Sequence, residues 1–400
     1  MSEMNDHGQA AGGDDGDEAI RLAENIVAIA AQNGAVNDAG TVAGGLPEGA
    51  DVRIIAEHPD EFSAWNAEHE VRDSNSIPTS LPGTDQPVPV TIPILLAPGV
   101  KVVYTTRLGG VSGGDYASLN LGGRGGDDPA AIEANRVALA REIGRPLSIV
   151  GQVHSARVFD ADTLDDVMEA GGPNAAFGYD QSGTTLKDGG VAARLESDAQ
   201  VTTREDLALG IFAADCLPVL LADAEAGVIA ACHCGRRGLQ HGVIGTTIDA
   251  MEAKGAMRGR IVATLGPCIC GDCYEVGDRI ADDFDTQFPG TWTLTRFGGP
   301  GIDIAAAAKA ALAAAGVGAD RLVASSGRVN AATQYLEADA ELDALCAADG
   351  EGPATLAERI GALRRSMCTV ENPLWYSHRR AFLAGKEREG RMLALVYFER

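Results

Sequence analysis

The chain has 400 residues, 45% hydrophobic and 22% charged, enough apolar side chain for one large domain or two ordinary ones. Its formal net charge of −25 argues against non-specific nucleic-acid binding and requires that an anionic substrate meet a local cluster of arginines. No run of about 18 apolar residues marks a membrane span, and the acidic start lacks the basic and apolar regions of a signal peptide, so a cytoplasmic protein is expected.

Residues 1–92 read as an acidic, partly disordered and largely irregular extension. Through position 90, 17 acidic side chains stand against 3 basic ones. One stretch, EAIRLAENIVAIAAQ, repeats apolar residues at helical spacing. From 93 to 400 the texture is that of a folded domain. VTIPILL and VKVVYTT predict strands, β-branched and bounded by proline and glycine. A Gly-rich turn, RLGGVSGGDYASLNLGGRGGDD, leads into a helix at DPAAIEANRVALAREIG, with Asp127 or Asp128 as its cap. SIVGQVHSARVF predicts one strand, and a glycine-rich loop follows over about 170–190. DAQVTT, LALGIFAADCLPVLLAD and GVIAACHC predict buried strands. RRGLQHGVIGTTIDAMEAKG predicts a helix closed by Gly255, and IVATLGP another strand. DRIADDFDTQF and the alanine-rich IDIAAAAKAALAAAG predict helices. About 328–362 reads as an inserted helical piece, and RMLALVYFER as the last strand. Strands and helices mix without strict alternation, which implies an α/β or α+β fold with mixed sheets.

Seven histidines and eight cysteines bound the chemistry. Eight cysteines in a long cytoplasmic chain read as thiols or ligands rather than a disulfide framework. His7, His58 and His69 lie in the extension. His241, within a predicted helix, and His378, among basic residues, read as surface or packing residues. His154 and His233 each lie in or at the end of an apolar strand, where an unpartnered imidazole is costly to bury. Alternation along VIAACHCG puts Cys232 and Cys234 on one face, as small core residues, and His233 on the other. Cys216 ends an apolar run where a strand stops. His154, Cys216 and His233 together make three donors of the softness zinc prefers, the count of a catalytic site; copper suits the same set. Cys232, Cys234, Cys268, Cys270 and Cys273 also raise a structural zinc site, though their spacing is not that of paired CxxC knuckles.

GQVHSARV, SDAQVTT, LALGIFAADCLPVLLAD, VIAACHCGRRGLQHGV, LGPCICGDCYEVGDRI, TTRLGGVSGGDYASLNLG and RSMCTVENPLWYSHRR, spread over about 95–400, resemble the laccase-domain family, also called multicopper polyphenol oxidase or purine nucleoside phosphorylase, with members described as peptidoglycan editing factors. The resemblance implies a layered α/β/β/α sandwich with mixed sheets. It also implies a metal site of His154 (in QVH), Cys216 (in ADC) and His233, the histidine of an H-A-G-W-R-G motif. Cys234 and Arg236 stand where that motif has alanine and tryptophan; Arg237 keeps its arginine. The activity implied is zinc-dependent phosphorolysis of adenosine, inosine and methylthioadenosine, with adenosine deamination, so purine nucleosides and phosphate are the expected partners. Arg107 and then Arg237 are the expected phosphate clamps, because a guanidinium forks onto phosphate oxygens. Asn120 contacts the nucleoside or fixes a turn, and Asp198 and Asp215 orient ligands or cap loops. Two further readings keep Cys216 at the centre: a copper-dependent polyphenol oxidase, and a cysteine hydrolase or cell-wall editing factor with Cys216 as nucleophile.

Overall fold

The computed structural model describes residues 87–169, 176–186, 189–192, 194–335 and 339–399, all within the unit Ile54–Arg400. The expected helix in the extension, the histidines at 7, 58 and 69, and part of the 170–190 loop lie outside the described residues.

Two sheets form the centre. The first has six strands in the order β1 (Thr91–Ala97), β2 (Val100–Thr105), β13 (Met392–Phe398), β7 (Ala208–Ala213), β3 (Leu147–Val150) and β5 (Gly178–Gln181). β7, β3 and β5 are parallel neighbours; the other pairs are antiparallel. The second has five strands in the order β10 (Val262–Leu265), β8 (Leu217–Asp223), β9 (Val228–Cys234), β6 (Ala199–Thr202) and β4 (Val158–Asp160). Only β4 and β6 are parallel there. β11 (Trp292–Leu294) and β12 (Pro300–Ile302) form a separate ribbon. β1 begins at Thr91, so the expected boundary between 92 and 93 falls inside this strand.

Alternation along the strands sorts side chains into layers. On β13, Leu393, Leu395 and Tyr397 pack with Leu139 of the helix Pro129–Ile143. On β9, Val228, Ala230, Cys232 and Cys234 pack against Val243, Ile244, Ile248 and Met251 of the helix Val243–Ala253, in a core that also takes in the helices Asp278–Gln287 and Ile304–Ala314. Burying each such aliphatic side chain contributes roughly 1.5–3 kcal/mol. Between the sheets, Gln200 on β6 donates to the carbonyls of Ser148 and Gly210 and accepts from the Ser148 hydroxyl at 2.5 Å, so a polar side chain inside the sandwich is satisfied by both neighbours. The result is the expected layered α/β/β/α arrangement.

Asp128 caps the helix Pro129–Ile143 by accepting from the Ala130 amide, and Gly144 leaves it at φ 66°. Three expected single elements are in fact broken. SIVGQVHSARVF is β3 and β4, which lie in different sheets, because the chain turns at His154, whose φ is 62°. LALGIFAADCLPVLLAD is β7 and β8, again in different sheets, with Asp215 at φ 95°. The expected helix from Arg236 is two helices, Arg236–Gln240 and Val243–Ala253, separated at Gly242, which takes the left-handed conformation glycine tolerates.

Helices Ser326–Tyr335, Ala340–Asp349 and Leu356–Ala362 occupy the stretch read as an inserted helical piece. They are anchored by Asp349, whose buried carboxylate takes Arg107 at 3.0 Å, Arg380 at 3.2 Å and Arg359 at 3.6 Å. Among the described residues no helix is long and apolar enough to cross a membrane.

Candidate functional site

His154, Cys216 and His233 come together from three segments, with their ligand atoms all within 4.8 Å of one another. Two of them sit where the chain passes from the first sheet to the second: His154 between β3 and β4, Cys216 between β7 and β8. His233 is the penultimate residue of β9 and points to the face opposite Cys232 and Cys234. The Cys216 Sγ is 3.5 Å from His154 Nε2, and the two imidazoles meet edge-on with centroids 4.8 Å apart.

Asp198, just before β6, organises this cluster. Its fully buried carboxylate accepts the backbone amides of Val153, His154 and Ser155, the Ser155 hydroxyl, and His233 Nδ1 at 2.9 Å. One side chain therefore stabilises the unusual His154 backbone and fixes the His233 ring with Nε2 toward the cluster. Asp215 plays the matching part beside Cys216: it accepts from the Thr369 hydroxyl and the Arg379 amide, both at 2.6 Å. Asp198 orients the His233 ring and holds a loop at once, while Asp215 ties its turn to Thr369 and Arg379. Residues with positive φ other than glycine are uncommon and collect at functional sites; among the described residues they are His154 and Asp215. Gly235 completes the packing, since a Cβ there would lie 2.7 Å from His154 Cδ2 and 2.9 Å from Cys216 Sγ.

Burial by itself pushes the Cys216 thiol up, but the neighbouring His233 and His154 outweigh it and bring the thiol down to about 6. Burial likewise lowers His233, yet Cys216 and Asp198 prevail and raise it to about 10. Each partner thus favours the charged form of the other.

The cluster lies in a cavity of about 660 Å³ whose walls carry Arg124, Arg236, Arg379, Arg388 and Arg391, against the carboxylates Asp215, Glu387 and Glu389. This is a local cationic field in a chain of net charge −25. Arg236 donates to Gln240, Arg379 to the Glu275 carbonyl, and Arg391 pairs with Glu389. Arg124 and Arg388 are exposed at the wall.

Neither expected phosphate clamp lines this cavity. Arg107 is 4% exposed and is consumed by Asp349, with Tyr376 against its guanidinium. Arg237 is exposed and off the cavity; its neighbour Arg236 takes the wall position. Asn120 is fully engaged in a turn, donating to Gly122 and Asp127 and accepting the amides of Gly122 and Arg391. It shapes the wall through Gly122 and Arg391, without facing the cavity. His378, read as a surface residue, lines the cavity and pairs with Glu389 at 3.1 Å, and His241 bonds the His154 carbonyl. The cavity residues Tyr274, Arg379, Arg388 and Arg391 went unassigned from sequence; the dense basic run from 378 to 391 was the available signal.

Cys232 and Cys234 sit together in the core, Sγ to Sγ 3.4 Å, so the five-cysteine zinc grouping does not form.

A family model described as multi-copper polyphenol oxidoreductase laccase matches residues 101–336. The chain is 43% identical over 217 residues to purine nucleoside phosphorylase ORF3 of Streptomyces griseus, covering 54% of this chain and 79% of that one. It is 34% identical over 235 residues to adenosine deaminase RL5 from an unknown prokaryotic organism, covering 57% and 83%. The crystal structure of Neisseria meningitidis protein NMB0706 matches with a TM-score of 0.54 and 28% identity, over 78% of this chain and 99% of that one.

Proposed function

The chain belongs to the multi-copper polyphenol oxidoreductase laccase family, and from that premise we propose a zinc-dependent purine nucleoside phosphorylase acting on adenosine, inosine and methylthioadenosine, with accompanying adenosine deaminase activity. Relatives named for both activities support the reading. The observation that carries it is the meeting of His154, Cys216 and His233 in an arginine-walled cavity.

The donor set suits zinc: one thiolate and two imidazoles, with a position left toward the cavity. When bound, zinc supplies Lewis acidity and makes water nucleophilic near neutral pH. Asp198 holds His233 in the tautomer that leaves Nε2 for the metal. The cationic wall recruits phosphate, and the exposed Arg124 and Arg388 are the groups that fork onto its oxygens. The half-buried Tyr274 ring offers apolar surface for the purine. In phosphorolysis a phosphate oxygen bonds to C1′ as the glycosidic C–N bond breaks and the base leaves with a proton.

Incubating the purified chain with inosine and phosphate is expected to give hypoxanthine and ribose-1-phosphate, with activity following zinc content. Production of neither, with zinc present, overturns the reading. Cys216 beside two imidazoles also has the geometry of a thiol nucleophile. Activity that survives complete metal removal selects that hydrolase instead, and phenol oxidation requiring copper selects the oxidase.

A further inference from the structure

A second group of metal-type donors lies outside the cavity. Cys270, Cys273, Cys368 and Glu371 bring their ligand atoms within 4.8 Å of one another. We propose that this chain carries a second, structural zinc site at Cys270, Cys273, Cys368 and Glu371.

Four observations converge. First, the donors come as two pairs with the same spacing, Cys270-Gly-Asp-Cys273 and Cys368-Thr-Val-Glu371. In the first pair the amides of Cys273 and Tyr274 both bond the Cys270 carbonyl; in the second the Asn372 amide bonds the Cys368 carbonyl. Each segment is thus a tight turn presenting two donors to one side, the design of a zinc knuckle.

Second, the spacings fit the ion. Tetrahedral zinc with Zn–S near 2.3 Å puts its ligand atoms about 3.7 Å apart. The Cys270 and Cys273 sulfurs both lie 3.8 Å from Glu371 Oε1. Third, the carboxylate is aimed. Glu371 Oε2 accepts the amides of Arg364 and Arg365 at 3.0 Å each, which turns Oε1 toward the thiols. Fourth, a cation stands beside the thiols. Three thiolates and a carboxylate outweigh a dication by two negative charges, and the Arg365 guanidinium, 3.3 Å from Cys270 Sγ and shared with Asp272 at 2.7 Å, offsets part of that excess.

Cys273 and Cys368 are buried and none of the four lines the cavity. Four protein donors leave no position for a substrate, which marks the site as structural. Its role follows from what it joins. The first turn leads into Tyr274 on the cavity wall. The second carries Thr369, whose hydroxyl holds Asp215 beside Cys216. The ion clamps these two segments, 98 positions apart from Cys270 to Cys368, beside the β-bridge that joins Cys268 to Cys368.

The test counts metal on the full chain purified under reducing conditions. Two zinc per chain are expected for the wild type, one for His154→Ala, one for Cys270→Ser, and none for the double variant. Cys273 and Cys368 are buried, so the primary variant is Cys270→Ser, at a half-buried position, with Glu371→Gln as the second. In a His154→Ala/His233→Ala background, added cobalt(II) is expected to give intense thiolate-to-cobalt absorption that Cys270→Ser abolishes. A wild-type content of one zinc that His154→Ala removes, with no cobalt absorption in that background, overturns the site. So does a Cys270–Cys273 disulfide in the reduced preparation. Neither readout uses turnover, so this site stands or falls apart from the proposed activity.

Discussion

The two donor clusters differ in the way that separates chemistry from scaffolding. The His154–Cys216–His233 cluster has three donors, faces a cavity, and sits on chain crossings between sheets, where Asp198 and two positive-φ residues hold the backbone. The Cys270–Cys273–Cys368–Glu371 cluster has four donors, faces no cavity, and sits on two tight turns. Three donors leave room for a reactant; four close the site. On the two proposals above, donor count and access, rather than donor identity, assign the roles.

The strongest way to break this comparison is His154→Ala. It is expected to lower phosphorolysis kcat/KM about a thousand-fold, equivalent to the several kcal/mol that metal catalysis supplies, while leaving the closed cluster's zinc in place. Steady-state kinetics with metal analysis checks both halves.

A reference with no metal sharpens the structural side. Asp349→Asn leaves three guanidiniums without their carboxylate and is expected to lose about 3–5 kcal/mol of stability by denaturant titration, with zinc content unchanged. Cys270→Ser should resemble this variant in its stability loss and differ from it in metal.

Smaller still is Asp198→Asn. Weakening its hold on His233 Nδ1 should reduce zinc affinity about 10–100-fold at the open cluster alone, read by chelator competition. If the closed cluster weakens equally, the two are not independent.

The smallest effect comes from a surface carboxylate remote from both. Burial raises Asp162, but hydrogen bonds from Lys254, Thr202 and Thr203 outweigh it and bring it from 3.8 to about 2. A depressed carboxylate stabilises the fold above its unfolded value and loses that contribution as pH falls through its folded one. Asp162→Asn should therefore be slightly less stable than wild type above pH 3.8, with the difference vanishing toward pH 2. Acid unfolding curves of both proteins check this.

Local pattern reached much of this. β13 was legible because MLALVYF is continuous apolar sequence with a charged end, and the first helix because Asp128 and Pro129 mark its start. Alternation on β9 correctly separated His233 from Cys232 and Cys234, since side-chain period in a strand depends on the backbone alone. Arg107 misled because a fork of donors in a Gly-rich turn suits phosphate and a buried aspartate equally, and Asp349 lies 242 positions away.

By itself, then, the sequence determined most of the strands and helices, the outward and inward faces, and which side chains are metal-type donors, because each depends on neighbours within a few residues. Only the tertiary structure decided that SIVGQVHSARVF and LALGIFAADCLPVLLAD cross between sheets, that the Arg379–Arg391 wall faces the histidines, and that Cys368 and Glu371 join Cys270 and Cys273. These depend on contacts between distant segments, whose distances are set by how the layers pack.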